Sequence, residues 1–76
     1  MKIKTTLGKL NEGLALIQRE GGDVNVKDSN GSVSISGVEA RFSFDRDTDI
    51  LTVTIDDKPW LASDSMIEGK VREFFS

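Results

Sequence analysis

Leu7, Leu10, Leu14 and Ile17 recur at spacings of three and four, so they share one face of a helix predicted from about Thr6 to Glu20. Gly21 and Gly22 supply its stop. Gly8 and Gly13 fall inside it, each costing up to about 1 kcal/mol relative to alanine, so this helix has to draw its stability from packing. Ahead of it, "KIK" at 2–4 could form a short strand with Ile3 inward. From Asp23 the period changes to two. Val24 and Val26 alternate with polar residues, Asn30-Gly31 is a strong hairpin signal, and Val33 and Ile35 follow on the return. A two-residue loop at Asn30-Gly31 would set Val26 opposite Ile35. A second turn at Ser36-Gly37 sets Ile35 opposite Val38, and Ala40, Phe42 and Phe44 continue the inward face. Across the polar loop "RDTD" at 46–49, Leu51 pairs with Phe44 and Val53 with Phe42, with Ile55 beyond. One face is therefore apolar, and Glu39, Arg41, Ser43, Thr52 and Thr54 lie on the other.

A closing helix should begin near Ser63 or Ser65. Ser65 and Glu68 have capping-box spacing; Ile67, Val71, Phe74 and Phe75 make an apolar stripe, and Glu68 and Arg72 an i,i+4 pair. One sheet face and two helix stripes need each other. The predicted fold is α+β: a single small domain over 1–76, with a four-stranded antiparallel meander and two helices packed on one face, in the order α-β-β-β-β-α.

Composition narrows the chemistry. Seventy-six residues lie near the lower end of the range that folds without disulfides or metal. Ten basic and thirteen acidic residues give a net charge of −3, and the basic ones are scattered from Lys2 to Arg72. Such a pattern offers little counterion-release drive toward nucleic acid. There is no cysteine, which excludes a disulfide framework and a thiolate nucleophile and fits a cytoplasmic location. No apolar run approaches the roughly 18 residues that span a bilayer, so membrane insertion is not expected. Histidine and tyrosine are also missing, which removes the usual general base near neutral pH and the phenolic acid. No GxSxG or SxxK motif places a nucleophile. The chain is expected not to be an enzyme and to carry no cofactor.

Two polar stretches invite a binding reading and fail it. Asp45, Asp47 and Asp49 resemble the start of a calcium loop, but Ile50 and Asp56 stand where an EF-hand needs glycine and a bidentate glutamate. A solvated turn is the better reading, and no metal is assigned. "KDSNGS" has one glycine, spent on the hairpin, and no following helix to offer its N-terminus to phosphate. The outer sheet face, with Arg41, Lys27, Asn25, serines and threonines, has no aromatic on which a base could stack. Being flat with short side chains, it could meet a protein partner or a second copy, or simply face water.

Trp60, the only tryptophan, sits in "DDKPWLASDSMIE" beside the only proline, Pro59. Where the last strand hands over to the last helix, an indole can plug the corner of a small core, and that is the preferred reading. The other is a partner anchor, since tryptophan is enriched at interface hot spots.

"SGV" at 36–38, "L-x-V-x-I" at 51–55, the apolar step at Trp60 and Leu61, "MIEGKV" at 66–71 and "KIKTTLGKL" at the N-terminus together resemble the small polyhydroxyalkanoic acid system protein family, over nearly the whole chain. The resemblance implies a small bacterial accessory protein associated with granule-forming operons and carries over no catalytic residue. The chain departs from the family in lacking an N-terminal histidine and in its shorter first helix. The expected function is thus a non-enzymatic accessory domain acting through protein contact, with Arg41, Ser43, Thr52, Thr54 and Trp60 as candidate contact residues. The alternative is an apolar-ligand or granule-surface protein, its sites between sheet and helices around Phe42, Trp60 and Phe74.

Overall fold

The computed structural model describes residues 1–75. Strand β1 (Lys2–Lys4) leads into helix α1 (Leu7–Arg19), then β2 (Asp23–Lys27), β3 (Asn30–Ile35), β4 (Val38–Asp45), β5 (Ile50–Asp57) and helix α2 (Asp64–Phe75). The sheet is antiparallel, in the order β1-β5-β4-β3-β2. The fold is therefore α+β, with β1 as a fifth strand that carries Ile3 into the core.

Thr6 caps α1, its hydroxyl accepting from the Lys9 amide at 3.2 Å, and the helix closes where Gly22 N–H reaches the Ile17 carbonyl at 2.9 Å. Leu10, Leu14 and Ile17 are buried as the stripe predicts, but Leu7, in the first turn, is 41% exposed. They join Ile3, Ala40, Phe42, Phe44, Leu51, Val53 and Phe75 in one core cluster. Sheet pairing follows expectation from Ile35 onward: Ile35 opposes Val38, Phe42 opposes Val53 and Phe44 opposes Leu51.

The first hairpin differs. Its turn is Asp28-Ser29, with Asp28 at φ 58°, so Val24 opposes Val33 and Val26 opposes Gly31 rather than Ile35. Asn30 and Gly31 belong to β3 instead, where they pair with Ser43 and Phe42 of the eight-residue β4, and Ser29 C=O accepts from Phe44 N–H. The longer β4 gains these rungs only if the turn comes earlier. Gly31 has a packing reason to be in the strand: a β-carbon there would lie 2.6 Å from the Phe42 ring. The shift is two residues on each strand, so the valines keep their face.

Helix α2 starts at Asp64, with the Ser63 hydroxyl accepting from Met66 N–H at 3.2 Å; Ser63, not Ser65, is the cap. Ile67 and Phe75 are buried while Val71 and Phe74 pack half-buried against the core. The helix's ion pair joins Lys70 to Glu73 at 3.6 Å rather than Glu68 to Arg72. Its last turn meets α1 at Gly13, where a β-carbon would lie 2.5 Å from the Phe74 carbonyl and the Phe75 ring. The Thr5 hydroxyl donates to the Phe75 carbonyl at 2.6 Å, satisfying an acceptor that the helix end leaves unpaired.

Gly13→Ala should therefore lower stability by about 1–3 kcal/mol through overpacking, against the roughly 1 kcal/mol that helix propensity alone would add. Gly69→Ala, at a helical position with nothing within 4 Å, should instead raise it by about 0.5–1 kcal/mol. Urea unfolding of both variants checks the opposite signs; a stabilised Gly13→Ala would refute the close approach.

Candidate functional site

Three half-buried residues of the sheet, Ile35, Val38 and Ile55, form part of the floor of an apolar groove of about 320 Å³. One wall is α2, through Met66, Val71 and Phe74; Ile17 of α1 and Glu20, which caps that helix, close one side, and Pro59 and Ala62 form part of the rim. The groove exists because α2 touches α1 at its C-terminal end, through Gly13 and Phe75, while its N-terminal half is held by a separate loop. Lys58 pins that loop, donating to the Ala62 carbonyl at 3.1 Å and pairing with Asp64 at 2.8 Å.

Within this loop Ala62 N–H bonds to the Pro59 carbonyl at 2.9 Å, making Trp60 and Leu61 the two central residues of a turn. Their side chains point away from the protein: Trp60 is 87% exposed and Leu61 77%, and Met66, in the first turn of α2, is 68% exposed. The core-plug reading of Trp60 is thus overturned, because the turn that Pro59 begins turns the indole outward. Phe42 and Phe74 line the groove, and Trp60 stands outside its lining. Among the described residues, the charged ones that line it are Glu20, Arg41 and Lys70.

On the opposite face of the sheet, Arg41, Ser43, Thr52 and Thr54 gather around one shallow depression, with Trp60 not among its lining residues. Arg41 opposes Thr54 and its Nε donates to both oxygens of Asp56, at 2.8 and 3.0 Å. That hydrogen bond, and then the charge of Asp56, raise the guanidinium pKa above its ordinary value. Asp56 is in reach because the ladder slips between Glu39 and Ala40: Ala40 opposes Ile55 while Glu39 opposes Asp57, leaving Asp56 as the extra residue of a bulge.

The stretch from Asp45 to Asp49 is a turn in which the Asp45 carboxylate accepts from Asp47 N–H at 2.9 Å. Among the described residues no group of three or more acidic side chains converges as a metal ion requires. No helix of the described residues is long and apolar enough to cross a membrane.

Leu61, Met66 and the groove floor were not singled out from the sequence as site residues. The available signal was a surplus: of Trp60, Leu61, Met66 and Ile67, only Ile67 falls on the stripe of α2. Comparison with protein-family models, curated proteins and solved structures returns no match.

Because its ring lies in water, Trp60 should emit at long wavelength and be readily quenched by acrylamide in the native protein. Trp60→Ala should change unfolding free energy by less than about 0.5 kcal/mol, as exposed substitutions do, whereas a core indole would cost about 3–5 kcal/mol. A blue-shifted, shielded emission would contradict the turn geometry.

Proposed function

We propose that this chain is a non-enzymatic binding domain acting through protein contact, and that the groove with its rim of Trp60, Leu61 and Met66 is the contact surface. The observation that carries this reading is the exposure of those three side chains beside an open apolar groove. Contiguous apolar surface is costly to leave in water, and where it flanks a concave site it marks an interaction surface. The partner that fits is an amphipathic segment, its apolar side chains in the groove and its backbone against the indole, in the manner of a helix laid in a groove. Tryptophan suits the anchor position because it buries a large area at little conformational cost.

The outer face is the weaker contact surface. Its centre is an ion pair among hydroxyl side chains, while strong interfaces concentrate their energy in a desolvated apolar core. Arg41, Ser43, Thr52 and Thr54 then form a hydrated layer on the far side of the sheet.

A second reading is favoured by the groove's size, since about 300 Å³ begins the range of small-molecule sites. In it the guest is an acyl chain or a polyhydroxyalkanoate granule surface, the setting that the family resemblance implies.

Capture of partners from a lysate by wild type, Trp60→Ala/Met66→Ala and Ser43→Glu, the last at an exposed outer-face position that does not line the groove, separates these readings. The proposed contact is lost in the first variant and kept in the second; the reverse pattern would move the site to the outer face. For the second reading, an acyl-chain panel at about 100 times Kd should add about 2.7 kcal/mol of stability and raise the melting temperature. No shift across the panel would remove the acyl-chain guest.

A further inference from the structure

We propose that two copies of this chain associate through β2, edge to edge and antiparallel about Asn25, so that one sheet runs through both molecules. The sheet has two edges, and they are built differently. β1 is three residues long and two of them are lysines, a pattern that discourages further pairing. β2 is five residues long, "DVNVK", with opposite charges at its ends and valines between.

Backbone alternation decides which groups face outward. Lys27 and Asn30 flank a two-residue turn and so form a hydrogen-bonded pair, and every second pair along the ladder does the same: Asn25 with Ser32, and Asp23 with Ser34. The N–H and C=O groups of Val24 and Val26 therefore point away from β3. Among the described residues nothing bonds to them.

A second β2 laid antiparallel about Asn25 matches them in full. Val24 of each copy opposes Val26 of the other, the hydrogen-bonded pairs of the new ladder. On the outer face Asp23 of each copy opposes Lys27 of the other, giving two opposite-charge cross-strand pairs related by the dimer axis. Sliding the strands by two residues sets Asp23 or Lys27 against Asn25 and removes both pairs, so this register is singled out by charge. The arrangement also gives Val26 a neighbour: at 54% exposure it is the least buried β-branched apolar residue of the sheet, left uncovered beside Gly31, and in the pair it would adjoin Val24 of the other copy.

The surface is separate from the groove, so the two readings stand or fall independently. Sedimentation velocity from micromolar to millimolar concentration tests the dimer. Wild type should show a concentration-dependent monomer–dimer boundary. Asp23→Lys and Lys27→Asp, both at exposed positions, should each lose it, since each places like charges opposite one another. Mixed in equal amounts, these two variants should regain it as a heterodimer, because the lysines of one then face the aspartates of the other; native mass spectrometry reads the mixed mass. Val26→Pro should also lose it, as it removes an outward N–H while breaking no bond of the monomer. The inference is overturned by a wild type that stays monomeric at millimolar concentration, by a dimer that persists in the charge variants, by a charge-variant mixture that stays monomeric, or by a dimer lost on Trp60→Ala.

Discussion

The position of α2 depends on one junction, where the chain between β1 and α1 takes hold of the last turn of α2. Thr5 is the one buried polar residue of the described chain, and its hydroxyl is spent on the Phe75 carbonyl. Gly13 lets the same turn approach the α1 backbone, and the Phe75 ring fills the space that a side chain would need. Residues that are local to the first quarter of the sequence thus fix the last element. With its C-terminal end fixed there, α2 covers the core beside α1 and leaves uncovered the part of the sheet where β3 turns into β4. The groove follows from this anchoring.

Much of the fold was legible because period and parity are robust. An inward face defined by Phe42, Phe44, Leu51 and Val53 survives any even shift of register, and so the meander, its two faces and the helix stripes could be read without knowing each turn. Turn position is less robust. Asn30-Gly31 has strong local hairpin chemistry, yet it is drawn into β3 by rungs against Ser43 and Phe42, contacts that are distant in sequence. The glycine that looked like turn chemistry instead makes room for an aromatic ring from the next strand. Gly13 belongs to the same class: its penalty was visible in the sequence, while the reason for tolerating it lies more than sixty residues away, on Phe75.

The candidate site was less legible. The outer face was predictable from alternation alone, and Arg41, Ser43, Thr52 and Thr54 do come together there. Trp60 was misread because its value to a core was weighed by area, whereas its orientation is set by one backbone hydrogen bond between Pro59 and Ala62. Hydropathy does not reveal which way a turn residue points. The groove was equally hidden, since Ile35, Val38, Val71 and Phe74 have the pattern of core residues and differ from them only in being incompletely covered.

Segregation of the two faces decides what the protein can do with its surface. On the outer side the bulge at Glu39 brings Asp56 to Arg41, so polar groups are paired with each other and the layer is content in water. On the inner side the apolar surface exceeds what two short helices can cover, and the excess collects at one end, where Pro59 to Met66 adds exposed side chains instead of a lid. A partner seated there would bury surface that the fold has already desolvated in part and would disturb no ion pair of the outer layer. The cost of ordering is low as well, because Lys58 already ties the loop to Ala62 and Asp64. Apolar excess and a pinned rim thus lie on the helix side of the sheet, with the paired polar layer on the other, and this asymmetry is what the proposed contact surface rests on.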